Sequence, residues 1–282
     1  MFFAKSGIYK PCGIYNIKHL IIALVTFVGI AIAVKNTKVK KQEDIRKIIK
    51  TATIVVWVLE IMKVIYMFAT GQAKPNKVIP LYYCSLLLYS GLMSSYGKGL
   101  IKKMGDVFLA TGGIIGGIVF IISPTTSLPE YPLFHFISLH SFFFHGTMIY
   151  LGLIINKFKY IEVKFEDIKY YASLIFIICM AAYVVNRTLG SNLMFISQDF
   201  PGMPISVVYN HTGVFFTPIM ILLQMTLPFL MAYGFLRLIR KQQVWYDSTS
   251  KGGSKYQHLE PPFIAESVFN NWSFSLFSKK AF

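Results

Sequence analysis

Apolar and polar positions along this chain fall into long blocks rather than the alternating stripes of a soluble amphipathic helix. Seven largely uncharged runs, over 17–34, 51–70, 78–97, 107–125, 133–155, 170–187 and 213–236, are separated by short polar connections. About 20 apolar residues suffice to carry a helix across the roughly 30 Å hydrocarbon core of a bilayer. The pattern therefore predicts an all-α polytopic transmembrane bundle of about seven spans. Residues 1–16 form an N-terminal extension without a small-residue cleavage site, so the first run reads as a retained span. Residues 241–282 contain the polar, Gly/Ser-rich "YDSTSKGGSKYQHLEPP" and read as a flexible tail. The aromatic and basic residues after Phe263 suit contact with a bilayer surface.

Composition agrees with a lipid solvent: 55% of residues are hydrophobic and 14% charged, against about 25% charged in soluble domains. The net charge of +16 would fit nucleic acid if it formed one surface. Instead the lysines and arginines sit in the connections, seventeen on one face and six on the other. That asymmetry predicts a multi-pass protein of the cell membrane with its N-terminus outside and its C-terminus in the cytoplasm. Membrane lipids are the expected partners, and nucleic acid is not. No internal repeat divides the runs into equal halves, as inverted-repeat transporters would require. The three cysteines, Cys12, Cys84 and Cys179, form no CxxC pair and imply no disulfide framework.

Ionisable groups inside apolar runs are costly and mark candidate sites. Glu60 and Lys63, three apart in the second run, read either as a pair that fixes helix packing or as a polar element lining a site. His135, His140 and His145 share the fifth run, but each is turned about 140° from the last, so they do not converge on one metal ion. No cofactor is implied. Ser138 and Ser141 lie within about 40° of His145 around the helix, and the three make a polar stripe. His140 points away from it, toward a hydrogen bond with a neighbouring helix. In "TGGIIGG", Gly112 with Gly116 and Gly113 with Gly117 have the four-residue spacing that lets membrane helices approach closely, or that forms a hinge.

Cys84 lies in "VIPLYYCSLLLYSG", just after Pro80. Gly91 and Ser95 fall within about 20° of its direction on a helix and would leave space beside the thiol. A thiolate is the nucleophilic form, and a histidine within reach generates it. His145, or alternatively His140, could act as that base. On regular helices Cys84 lies about 6 Å below Pro80 and His145 about 20 Å along from Pro132, so helix 3 must tilt or helix 5 start higher for them to meet.

Pro80, Leu81, Cys84 and Ser85, the step His145–Gly146, and "VNRTLGSNLMFI" with its Asn186, Gly190, Asn192 and Phe195 resemble, in that order and over about residues 50–235, the YwaF-like bacterial integral membrane proteins. These are similar to the eukaryotic transmembrane protein 164 acyltransferases. The chain departs from the pattern at Leu193, Tyr82 and Tyr83. The resemblance implies an enzyme that moves fatty acyl groups between phospholipids through a cysteine, with Cys84 as nucleophile and His145 as base. Asn186 and Asn192 would be polar neighbours that orient the base or stabilise an oxyanion, completing a pocket with Glu60, Lys63 and Ser141. The residues thus support a phospholipid acyltransferase or lipase-like enzyme. A transporter or receptor for a small polar ligand, and a scaffold whose polar groups only hold helices, are the alternatives.

Overall fold

The computed structural model describes residues 1–200 and 204–250. They form ten α-helices with short 3-10 turns: α1 (Ile17–Asn36), α2 (Gln42–Ala69), α3 (Pro75–Val78), α4 (Leu86–Tyr96), α5 (Gly99–Ala110), α6 (Gly112–Ile122), α7 (Phe136–Lys157), α8 (Ile168–Leu189), α9 (Pro204–Thr212) and α10 (Phe216–Ser250). No strand occurs among the described residues. Six helical segments among the described residues are long and apolar enough to cross a bilayer: Ile17–Asn36, Gln42–Ala69, Gly99–Ile122, Phe136–Lys157, Phe165–Leu189 and Ile205–Ile239. The all-α transmembrane bundle is therefore present.

Three boundaries differ from expectation, each for a physical reason. The run at 78–97 is not one helix: α4 has 11 residues, about 16 Å at 1.5 Å per residue and half a bilayer core. Residues 79–85 are irregular, because Pro80 lacks an amide hydrogen and disfavours α geometry in the residue before it. The fourth span starts at Gly99 rather than 107, since Lys102 pairs with Asp106 at 2.5 Å and Asp106 accepts from the Ser94 hydroxyl at 2.5 Å. With its charges neutralised locally, that polar turn continues the helix. Finally, α10 runs to Ser250, beyond the expected start of the tail at 241. The rest of that tail, 251–282, lies outside the described residues.

Chain direction sorts the connections into two faces. Arg46 Nε donates to the Ser95 carbonyl at 2.9 Å, Lys157 Nζ to the Val34 carbonyl at 2.8 Å, and Lys103 pairs with Asp167 at 3.0 Å, all on the basic face. The opposite face gathers residues 1–16, 70–85, 123–135 and 190–198. There the Cys12 and Gly13 amides donate to the Tyr131 and Leu128 carbonyls at 3.0 and 2.8 Å, and the Asn192 amide to Asn76 Oδ1 at 2.8 Å.

The glycines of α6 serve packing. A Cβ built on Gly112 would lie 2.5 Å from Tyr83 Oη, on Gly116 2.7 Å from the Tyr83 ring, and on Gly117 2.7 Å from the His145 carbonyl oxygen. Between α5 and α6, Thr111 departs from helical geometry (φ −126°, ψ −82°) and frees the Ala110 carbonyl. Asn156 Nδ2 repairs this by donating to Ala110 and Gly152 oxygens, both at 2.8 Å. Asn156→Leu is expected to destabilise the fold by about 1–3 kcal/mol, the cost of an unmet buried acceptor. A lowered Tm in detergent checks it.

The N-terminal extension is a strap across the end of the bundle. The Ala4 carbonyl accepts from Tyr66 Oη at 2.6 Å and from His135 Nε2 at 2.9 Å, the Ser6 amide donates to Gln72 Oε1 at 3.1 Å, and the Phe136 amide to the Phe2 carbonyl at 3.0 Å. His135 Nδ1 accepts from the Ile137 amide at 3.1 Å and so caps α7. That bond requires the tautomer whose Nε2–H faces Ala4, and burial holds the imidazole below its ordinary pKa and keeps it neutral.

Candidate active site

Cys84 stands at the amino end of α4, its carbonyl accepting from the Leu87 amide at 3.0 Å. The two tyrosines before it fasten it in place. Tyr83 reaches into the bundle, 2.7 Å from Tyr171 Oη and 3.1 Å from the Gly112 carbonyl. Tyr82 lays its ring 5.2 Å from that of Phe195. Tyr89 Oη, a turn further on, donates to the Pro80 carbonyl at 3.0 Å and holds the irregular segment against α4.

The small-residue face below the thiol is not open space. A Cβ on Gly91 would lie 2.2 Å from Thr53 Oγ1, so α2 fills that face. The close approach has a consequence for the site. Three contacts set an antiparallel register of α2 on α4: Arg46 with Ser95, Thr53 with Gly91, and Trp57 Nε1 donating to Leu88 at 3.2 Å. Seven residues on from Thr53 is Glu60, and seven back from Gly91 is Cys84, both toward the strap face. At about 1.5 Å per residue the two arrive at the same level.

A polar cluster results. Glu60 pairs through Oε1 with Lys63 at 2.5 Å, and its Oε2 lies 3.6 Å from His140 Nε2 on α7. Lys63 and Glu60 both lie within electrostatic reach of the Cys84 thiol, and Lys63 also within reach of His140 and His145. Glu60, His140 and His145 are all buried. The angular argument that turned His140 away from the Ser138/Ser141/His145 stripe holds for α7. It missed that α2 stands on the side His140 faces.

His145 is held differently. Its Nδ1 lies 2.7 Å from the Ser141 carbonyl, and its ring stacks on Phe120 with centroids 3.6 Å apart. A carbonyl only accepts, so Nδ1 carries the hydrogen and Nε2 keeps its lone pair. Among the described residues no protein group hydrogen-bonds to that Nε2, and no hydrogen bond joins either imidazole to the Cys84 sulfur. Ser141 thus acts through its main chain, while Ser138 Oγ donates to the Pro132 carbonyl at 2.9 Å at the start of α7.

A model of the TMEM164 family matches residues 14–234, from just before α1 into α10. The chain belongs to the TMEM164 family. Neither a curated protein nor a solved structure matches it.

In this TMEM164-family chain Asn186 and Asn192 build a loop. Asn186 Oδ1 accepts from Ser191 Oγ and the Leu193 amide at 2.8 and 2.7 Å, and its Nδ2 donates to the Leu193 carbonyl and Ser197 Oγ at 3.0 and 2.8 Å. Asn192 Oδ1 accepts from the Ser197 and Gln198 amides, both at 3.1 Å, and its Nδ2 donates to the Gln198 carbonyl at 3.0 Å. With every amide hydrogen-bonding position of Asn186 taken, these residues position the loop rather than face the cluster. Gly190 ends α8 at φ +62°, and Met194 and Phe195 follow at +57° and +52°. Such geometry is strained for residues with a Cβ. Gln224 Nε2, donating to the Met194 carbonyl at 2.8 Å, helps to hold it, and the strained turn delivers Phe195 to Tyr82 beside Cys84. Asn76, which receives the Asn192 amide, and His19, whose Nε2 donates to the Ile121 carbonyl at 2.9 Å, are positioning residues the sequence did not single out. Asn76 stands in an ordinary loop context, whereas His19 carried the signal of an ionisable group near the start of an apolar run.

Proposed function

We propose that this chain is an integral membrane acyltransferase of lipase-like chemistry that takes a fatty acyl group from a phospholipid ester onto Cys84. What carries the reading is the register of α2 on α4, which brings Glu60 and Lys63 level with Cys84 opposite two histidines. Family membership supports it.

In the reaction the Cys84 thiol gives its proton to His145 Nε2, and the sulfur attacks the ester carbonyl. A thioester forms, the ester C–O bond breaks, and the lysolipid oxygen leaves with the proton from His145. A lysolipid hydroxyl or water then attacks the thioester, His145 accepts its proton, and the released thiolate is reprotonated. The fixed Nδ1–H tautomer suits His145 to this cycle. Its Nε2 and the sulfur close to hydrogen-bond distance when lipid is bound, since such contacts are often loose in the free enzyme. Lys63 favours the thiolate by its charge, and Glu60 keeps Lys63 and His140 in place. We place the basic face in the cytoplasm of a cell membrane and the site toward the outer leaflet.

Protein in nanodiscs containing a phospholipid labelled in its acyl chain is expected to carry the label on Cys84 as a hydroxylamine-sensitive thioester. Cys84→Ala, equally folded, is expected to carry none; equal labelling of both would overturn the mechanism. The buried Glu60–Lys63 pair also fits a second reading, a transporter or receptor for a small polar ligand. In that case Cys84→Ala would keep ligand binding and Glu60→Gln would lose it.

A further inference from the structure

The strap meets the two helices of the polar cluster one turn above it. On α2 it is fastened at Tyr66, three residues beyond Lys63. On α7 it is fastened at His135 and Phe136, five and four residues before His140. A line of ring contacts continues inward: Phe3 to Phe136 at 5.3 Å, Phe136 to His140 at 5.9 Å, and His140 to Phe144 at 5.8 Å. The strap is anchored again further along, where Cys12 and Gly13 donate to the loop before α7.

The attachment is built like a latch rather than a fixed wall. One main-chain oxygen, that of Ala4, receives both side-chain donors, and Gln72 Nε2 donates in turn to Tyr66 Oη at 3.4 Å. Apart from this latch, the bonds that hold the strap before Cys12 to the bundle among the described residues are that of the Ser6 amide to the Gln72 side chain and that of the Phe136 amide to the Phe2 carbonyl, together with Phe2 and Phe3, which remain substantially exposed. Few buried contacts and shared hydrogen bonds are what a segment needs in order to open locally while the fold persists.

We propose that residues 1–11 are a lid on the aqueous route to the polar cluster, closed by the Ala4 latch, which controls the entry of water and water-soluble acyl acceptors to Cys84 while lipid enters from the side. The lid rests on the reading of Cys84 as the reacting group, but access to the thiol can be measured without turnover.

The test uses the full chain in nanodiscs with Cys12→Ser and Cys179→Ala, so that Cys84 is the thiol read out, and follows its reaction with a water-soluble maleimide. Tyr66→Phe keeps the ring packing and removes the hydroxyl that donates to Ala4 and receives Gln72 Nε2. It is expected to speed labelling about fivefold, the effect of one net hydrogen bond on an opening equilibrium. Deletion of residues 2–9 is expected to speed it further. Unchanged labelling in Tyr66→Phe, or in a deletion that retains the parent Tm, would overturn the lid. If the deletion does not fold, Tyr66→Phe decides. Loss of acyl transfer chemistry would show instead as a missing thioester on Cys84, whatever the maleimide rate.

Discussion

His145→Ala is expected to lower acyl turnover by about 10²–10⁴-fold, the range supplied by a positioned general base. The reason lies in its tautomer. With Nδ1–H committed to the Ser141 carbonyl at 2.7 Å, the basic nitrogen is Nε2, and it is not spent on the protein. His140→Ala is expected to cost less and to act differently. Its Nε2 faces Glu60 at 3.6 Å, so its loss alters the balance of the Glu60–Lys63 pair rather than removing the proton acceptor. Single-turnover thioester formation followed by mass spectrometry separates the two. A His140→Ala defect equal to or greater than that of His145→Ala would exchange their roles.

The second large effect falls on stability. Glu60 is buried, with Lys63 within 2.5 Å and only partly exposed. Replacing Glu60 with leucine leaves an ammonium without its counter-ion, and breaking a buried pair in this way costs about 3–5 kcal/mol. Glu60→Leu is therefore expected to lower Tm sharply, whereas Glu60→Leu with Lys63→Met is expected to recover most of the loss, because a matched apolar pair leaves no uncompensated charge. Thermal denaturation of the two single variants and the double variant closes the cycle. A double variant no more stable than Glu60→Leu alone would mean that His140, not Lys63, is the essential partner of the carboxylate.

Sequence reading located the spanning helices because length and lack of charge are what a bilayer demands of a helix. It was weakest where local pairing overrides composition. The turn at Lys102, Lys103 and Asp106 looked too polar for a span, yet Asp106 is matched by Lys102 and Ser94. The run at 78–97 looked apolar enough for a span, yet Pro80 and the Tyr89 bond to its carbonyl hold the first part out of helix.

In the candidate site, Cys84, Glu60, Lys63 and the histidines were visible as polar groups in apolar runs. Their grouping was not, because it depends on the register between α2 and α4. Gly91 held the clue to that register. A small residue facing a neighbour more often admits a second helix than leaves a void, and here it admits Thr53. The asparagines of 186–192 were read as possible chemistry, and only their hydrogen bonds reveal that they shape a turn. The strap was legible only as an extension, since a carbonyl such as that of Ala4 has no sequence signature.

The short α4 bears on what becomes of an acyl-enzyme. Irregular backbone at membrane depth persists only where protein surrounds it or water reaches it, so under the proposed function the coil of 79–85 would set Cys84 at a border between dry helix and water-accessible backbone. A thioester formed at that border is contested by two acceptors, a lysolipid arriving through the hydrocarbon and water arriving from above. Under the proposed function, the partition between acyl transfer and hydrolysis would then depend on the coil beside the cysteine and on the proposed lid as well as on the cysteine itself.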